Sequence, residues 1–307
     1  MPEDQADTPA RTDYTVKKGE VSLALYRKRL PPKAGEASRP ILFLVHGSSN
    51  SALSSFDLTV PEAGEYSTMN VFARLGYDVW TMDHENYGRS SRTDGNSDIA
   101  SGVSDLIAAT ELVIRETGQE RLHFMGESSG ALRAAAFASA RPERVGRIVL
   151  NAFTYTGRNS PTLAKRAEQV EYFRTHNRRL RDRAMIRSIF TRDHPGTADD
   201  ATIEAFADAI LRLDDSVPTG TYVDMCSKLP IVDPAKITVP TIVMRGQWDG
   251  IASFDDLIRF FERLPNPDKT FSVMAGISHA SFQQKNYLMV YHILHAFFSQ
   301  PEPLYRA

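Results

Sequence analysis

Residues 121–140 read RLHFMGESSGALRAAAFASA. Arg121 to Met125 is an apolar run of strand length. Ser129 to Ala140 is rich in alanine, the best helix former, and is closed by Arg141-Pro142. Between the two, Gly126-Glu127-Ser128-Ser129-Gly130 fits the pattern Gly-x-Ser-x-Gly. At a strand-to-helix corner this pattern makes a sharp turn that projects the serine hydroxyl, and the flanking glycines let neighbouring elements approach without a Cβ clash. The stretch is one β/α step with Ser128 at its corner.

The same rhythm extends in both directions. Ile41 to Val45 is a short continuous apolar run, as expected for a strand buried on both faces of a parallel sheet, and it ends at His46-Gly47. Tyr66 to Leu75 reads as a helix stopped by Gly76, and Tyr77 to Met82 as a strand. Val103, Leu106, Ile107, Thr110, Val113 and Ile114 recur at helical spacing in a helix from Gly102 to Thr117, which Gly118 ends. After the corner come strand Arg147 to Leu150, strand Pro240 to Met244 with helix Phe254 to Arg263, and strand Phe271 to Met274 with helix Phe282 to Phe298. Upstream, Asp13 to Leu30 alternates as antiparallel strands do, before a turn at Pro31 to Gly35. Met1 to Asp13 is acidic and proline-containing and is expected to fray. Alternating strands and helices predict the α/β class, a doubly wound and mostly parallel sheet with helices on both faces.

Between about Thr154 and Lys236 the rhythm breaks, and helical patterns follow one another without a strand. Ser160-Pro161 opens one, Asp199 or Asp200 caps Ile203 to Leu213, and Pro218 to Lys228 forms a shorter one. The domain expectation is therefore a core of residues 1–153 and 237–307, interrupted by a helical cap at 154–236. This segment is electrically lopsided. Arg158 to Arg192 holds ten Lys/Arg against three acids, whereas Asp193 to Pro230 holds eight acids against two basic residues. The plain reading is solvated helix faces that pair with each other; the sharper one is an anionic substrate drawn to the basic half.

Composition narrows the function classes. Apolar residues make up 42% and charged residues 24%, which fits a folded globular chain and not a disordered one. A net charge of -2 offers no basic field for nucleic acid. The longest apolar run is five residues, too short for a membrane span or a Sec-type signal, so neither is expected. With the single cysteine Cys226 there is no intrachain disulfide, and a reducing, cytoplasmic setting is the expectation.

A serine is a weak nucleophile at neutral pH and needs an imidazole to take its proton and a carboxylate to hold that imidazole. In a doubly wound sheet such groups gather beyond the carboxyl ends of the strands. Asp249, in the segment Arg245-Gly246-Gln247-Trp248-Asp249-Gly250, follows strand Pro240 to Met244. His279, in Ala275-Gly276-Ile277-Ser278-His279-Ala280, follows the last strand. Ser128, Asp249 and His279 are therefore the candidate catalytic set. Asp255 and Asp256 are rival acids, although their place at a helix start suits a role at the helix dipole.

Taken together, these residues resemble the α/β-hydrolase family over about Tyr14 to Phe298, with a helical cap after the sixth strand. The resemblance implies an eight-stranded sheet and the order Ser128, Asp249, His279. It also implies an oxyanion hole from the amide of Ser48, after the His46-Gly47 motif, and the amide of Ser129. It calls for no cofactor and no metal, and for a small-molecule partner. One departure stands out: Asp83 to Ser90 keeps Asp83, Gly88 and Ser90 of a common family pattern but varies at His84, Glu85, Asn86 and Tyr87. The reaction it implies first is hydrolysis of a carboxylic ester of a small to medium, partly apolar molecule. Amide, carbamate, lactone, thioester and carbon-carbon bonds remain open as alternatives at the same site. More distant are a hydroxynitrile-lyase-like reaction, in whose pattern a pocket lysine would map near Lys236, and a non-catalytic binding protein.

Of the remaining side chains, Ser49 in the long loop 48–65, Phe153, Tyr155, Trp248 and Phe282 are candidate pocket residues. His46 reads as a loop-orienting residue and His123 as core. Glu127 reads as buried or paired, and His292 with His295 as part of an amphipathic helix in preference to a metal pair.

Overall fold

A computed structural model describes residues 8–32, 35 and 37–304. Its main sheet uses β1 (Ala10–Lys18), β2 (Val21–Arg29), β3 (Ile41–Val45), β4 (Asp78–Met82), β5 (Leu122–Glu127), β6 (Val145–Asn151), β9 (Thr241–Gly246) and β10 (Lys269–Met274). They lie in the order β1-β2-β4-β3-β5-β6-β9-β10. The β1–β2 and β2–β4 pairs are antiparallel, and all the others are parallel. This is the eight-stranded, mostly parallel sheet that the pattern of runs leads one to expect.

Two-residue periodicity sends alternate strand residues into two cores. Ile41, Phe43 and Val45 join one apolar cluster with Phe124, Ile148, Leu150 and Val243. Leu42 and Leu44 join the opposite one with Met125, Val149, Ile242 and Met244. Helices α3 (Ile99–Thr117), α4 (Ser129–Ala140) and α10 (Phe254–Glu262) cover the first face. Helices α1 (Ala52–Phe56), α2 (Thr68–Arg74) and α11 (Tyr287–Phe298) cover the second. Truncating a fully buried aromatic such as Phe43 or Phe124 would cost about 3–5 kcal/mol. Local signals fix helix ends: Asp98 accepts from the Ser101 amide at 2.8 Å, and Gly118 closes α3 at φ 71°.

The segment between β6 and β9 carries α5 (Pro161–Ala167), α6 (Val170–Thr175), α7 (Arg183–Thr191), α8 (Asp200–Leu211) and α9 (Gly220–Ser227). It also holds a two-stranded antiparallel sheet of β7 (Arg178–Leu180) and β8 (Ser216–Pro218), which corrects the strand-free expectation. These three-residue strands are too short to show a periodic signal. Ser160 caps α5 and Asp199 stands at the start of α8. None of these elements joins the main sheet, yet Leu163 and Met225 reach its first core, and Ile186, Phe190, Ile203 and Phe206 its second.

Two local expectations change. Ala10 to Asp13, placed in the fraying stretch, already pair with Tyr26 to Arg29, while residues 1–7 lie outside the described residues. The turn at 31–35 lies partly outside them as well.

Candidate active site

Three strand ends meet at Ser128. It stands between β5 and α4 at φ 57° and ψ -124°, a strained conformation for a residue with a Cβ. Crowding explains the glycines on either side. A Cβ on Gly130 would lie 2.2 Å from the Val45 carbonyl oxygen, and one on Gly126 2.5 Å from that of Gly130. The Ser128 amide donates to the Asn151 carbonyl at 2.9 Å, which pins the corner to β6.

His279, in the loop after β10, places Nε2 3.1 Å from Ser128 Oγ and Nδ1 3.0 Å from both carboxylate oxygens of Asp249. A carboxylate only accepts, so Nδ1 carries the proton and Nε2 is free to take one from the serine. Asp249 is buried in the loop after β9. Burial alone would raise its pKa, but the charge and hydrogen bond of His279 and the amides of Ile251 and Ala252 hold it below the usual carboxylate value. Arg245 clamps that loop by donating to the carbonyls of Ala252 and Asp249.

On the opposite side of Ser128 lies the loop after β3. His46 is fully buried, with Nδ1 2.8 Å from the Gly47 carbonyl and Nε2 accepting from the His84 amide, so its ring fixes the bend of this loop. Burial, and next the charge of His84, push its pKa well down, so it stays neutral. Behind it, His84 meets Asp105 at 3.1 Å, and Lys18 pairs with Asp105 and Glu85. Of residues 84–87, His84 and Tyr87 thus form a buried support for the loop.

Ser48 and Ser129 face each other with their hydroxyls hydrogen-bonded at 2.7 Å. Neither backbone amide has an acceptor among the described residues. The insert reaches down to this loop. Thr221 donates to Ser48 Oγ at 2.9 Å, Tyr222 Oη and Ser49 Oγ are 2.8 Å apart, and Arg181 donates to the Ser49 carbonyl. Tyr87 donates to the Ser48 carbonyl at 3.1 Å.

The space over Ser128 has a floor of Gly47, Ser48, Ser49, Glu127 and His279, and a roof of Arg166, Ile189 and Arg192 from the insert. Its volume is about 30 Å³, room for about one water, so the roof must move to admit a substrate. Glu127 is buried, in line with its reading from sequence. Its carboxyl oxygen accepts one long hydrogen bond, from the Ser281 amide at 3.3 Å. Burial, helped by the charge of Asp249, pushes its pKa up to about 8, so at neutral pH this neighbour of Ser128 keeps its proton.

Of the pocket candidates, Ser49 lines this space and the aromatic ones do not. Phe153 and Tyr155 pack on Phe260, Phe282 packs on Phe56, and Trp248 stacks on His194 at the surface. Asp256 is also elsewhere. It accepts from the amides of Tyr155, Thr156 and Gly157 and so anchors the first hinge of the insert, and Asp255 is exposed. Lys236 is exposed on a short 3-10 helix, Pro234–Lys236, away from the pocket. Arg166, Arg192, Thr221 and Tyr222 are the residues that sequence reasoning missed. The basic run was the only signal for any of them.

A mostly parallel sheet carrying a serine corner after β5, an acid after β9 and a histidine after β10 defines the α/β-hydrolase class. The family description "Serine aminopeptidase, S33" matches residues 60–286, and the chain belongs to this family of hydrolases. Among curated proteins it is 27% identical over 270 residues to the 2-hydroxy-6-oxononadienedioate/2-hydroxy-6-oxononatrienedioate hydrolase 2 of Pseudomonas putida, covering 82% of this chain and 84% of that protein. It is 30% identical over 132 residues to Lipase 3 of Drosophila melanogaster, covering 39% of this chain and 32% of that one. A solved 2-hydroxy-6-oxo-6-phenylhexa-2,4-dienoate hydrolase from a Rhodococcus species superposes with a TM-score of 0.66 at 16% identity, covering 95% of this chain and 99% of that one. At that identity the superposition speaks for the fold. Among the described residues no helix is long and apolar enough to cross a membrane.

Proposed function

We propose that the chain is a serine hydrolase that breaks a carbon-carbon bond next to a ketone in a small 2-hydroxy-6-oxo-dienoate. The observation that carries the chemistry is the hydrogen-bonded chain Asp249–His279–Ser128 opening into a roofed pocket. The choice of bond is supported by the Pseudomonas putida relative, which spans most of both chains. This replaces the ester as first choice.

In this reading Ser128 Oγ attacks the ketone carbon while its proton passes to His279 Nε2, and Asp249 stabilises the imidazolium. The tetrahedral oxyanion receives the amides of Ser48 and Ser129, and losing one such donor typically costs roughly 100- to 1000-fold. Collapse breaks the bond to the neighbouring carbon. For this the 2-hydroxy-dienoate must first lose its hydroxyl proton and gain one at C5, so that the leaving carbon is saturated; the electron pair then moves through the C3–C4 double bond onto the 2-oxo oxygen as a dienolate, and His279 returns the proton. Water, deprotonated by His279, then cleaves the acyl group from Ser128. The sum is ketone plus water giving a carboxylic acid and an enol. Residues 154–236 act as the cap over a core of 1–153 and 237–307, and the setting is cytoplasmic.

Incubation with a 2-hydroxy-6-oxo-dienoate, followed by its absorbance and by product masses, tests the bond. Cleavage with kcat/KM above that of an acyl-matched ester is expected. Ester turnover with an untouched dienoate would instead favour the second reading, an ester hydrolase, towards which the Lipase 3 match points. The lyase reading lacks its pocket lysine, since Lys236 does not line the site.

A further inference from the structure

Residues 192–198 run from the end of α7, whose Ile189 and Arg192 belong to the roof over Ser128, to the start of α8. On the way they lie against the two loops that carry Asp249 and His279. The His194 ring rests flat on Trp248, with centroids 4.3 Å apart and planes at 12°. Asp193 accepts from Thr162 Oγ1 at 2.9 Å, and it sits so close to the acid loop that a Cβ on Gly250 would collide with it. From the start of α5, Ser160 Oγ and the Thr162 amide both donate to the Gly250 carbonyl, at 3.0 and 3.3 Å. Thr197 Oγ1 lies 3.3 Å from Ser278 Oγ, and the Thr197 carbonyl accepts from the Lys285 amide at 2.8 Å. The insert therefore touches Trp248, Gly250 and Ser278, the immediate neighbours of Asp249 and His279.

Those two loops are stitched to each other. The Trp248 amide donates to the Ile277 carbonyl and the Gln247 amide to that of Met274, each at 2.9 Å, and Gln247 Oε1 accepts from the Gly276 amide. Asp249 serves the reaction only while its carboxylate stays within reach of His279 Nδ1, and a shift of about 1 Å in a catalytic group can cost roughly 100-fold in rate. Lifting the end of α7 to admit a substrate pulls first on Asp193 and His194, which follow Arg192 directly. We infer that residues 192–198 tie the closing of the roof to the alignment of Asp249 with His279, His194 being a positioning residue that acts through Trp248. The serine is then fully activated only with the roof down, and its reactivity falls while the site stands open to water. The inference rests on the serine-hydrolase reading and not on the bond broken.

The test uses a small uncharged fluorophosphonate, with labelling of Ser128 read by mass over a range of probe concentrations, so that the maximal rate separates from the half-saturating concentration. His194→Ala should lower the maximal rate roughly two- to tenfold, the range of one aromatic pair, and leave the half-saturating concentration unchanged. His194→Phe, which keeps a ring on Trp248, should restore most of the rate. In an Asp249→Asn chain the same His194→Ala change should cost nothing further, because its effect passes through the acid. Thr162→Val loosens Asp193 from the other side and should repeat the loss on a smaller scale, a check that does not depend on the His194 variants. Faster labelling in His194→Ala would mean that residues 192–198 only hold the roof shut, and that result overturns the inference. So does a loss of equal size with and without the Asp249 carboxylate. If the wild-type Ser128 takes no probe, the serine-hydrolase reading fails and the inference falls with it.

Discussion

The arginines of the basic run meet two different fates. On the outer face of the insert, Arg183 reaches Glu204 at 2.6 Å and Asp208 at 2.5 Å, and Arg187 reaches Glu204 at 2.9 Å and also Asp200. Facing the pocket, Arg166 meets no carboxylate among the described residues, and Arg192 has Asp193 alone among them. The same composition therefore serves two ends. The outer pairs join α7 to α8, are roughly half exposed and are screened by solvent and salt, so each is worth little. Of the inner two, Arg166 is half-buried over the ring of Tyr222 and Arg192 stays exposed beside Asp193. A charge run counted from sequence cannot separate these fates, because the count says nothing of which helix face turns inward.

The inner arginines matter for chemistry only if the serine beneath them is the nucleophile. Ser128→Ala should lower kcat by roughly 10⁴- to 10⁶-fold in a chain that still folds, and Asp249→Asn by about 10⁴-fold through loss of the correct histidine tautomer. Steady-state kinetics with circular dichroism as the folding check reads both. Next in size is the contacts from the insert to the oxyanion loop. Thr221→Val or Tyr222→Phe removes one hydrogen bond to Ser48 or Ser49 and should reduce kcat about three- to tenfold, with a smaller change in KM. If KM alone moved, those contacts would shape only the pocket.

Stability should respond to Glu127 in a pH-dependent way. Its folded pKa is raised from 4.5 to about 8, so across that window the folded chain keeps a proton that the unfolded chain has released. Stability is therefore lost as pH rises between those values. Glu127→Gln removes this slope, and the Tm advantage of the variant should grow from pH 5 to pH 8. A constant difference would mean that the carboxyl is ionised throughout. Buried His84 and His123 work in the opposite direction. Their pKa values fall from 6.5 to about 4, chiefly by burial, so stability is lost as pH drops through that range. The smallest effect belongs to the outer pairs: Arg187→Gln should shift unfolding free energy by no more than about 1 kcal/mol and leave kcat unchanged.

The sheet was legible because its strands are short apolar runs buried on both faces, and Ile41 to Val45 carries that signal without ambiguity. The corner at Gly126 to Gly130 was legible because crowding against Val45 allows nothing larger than glycine at Gly130. Asp249 and His279 followed from their position after strands. What could not be read is what depends on side chains meeting across the insert. Thr221, for one, meets Ser48 across 173 positions of chain. Aromatic residues misled for a simple reason. Phe153, Tyr155 and Phe282 sit at strand ends, but their rings have core partners close by, whereas Trp248 finds His194 outside.

The account stands most directly on one measurement, the intact mass of the wild-type chain after treatment with a fluorophosphonate, followed by peptide mapping. It predicts a single adduct on Ser128, absent in Ser128→Ala and slowed by His279→Ala. An unchanged mass for the folded chain, or an adduct on a different residue, would contradict it.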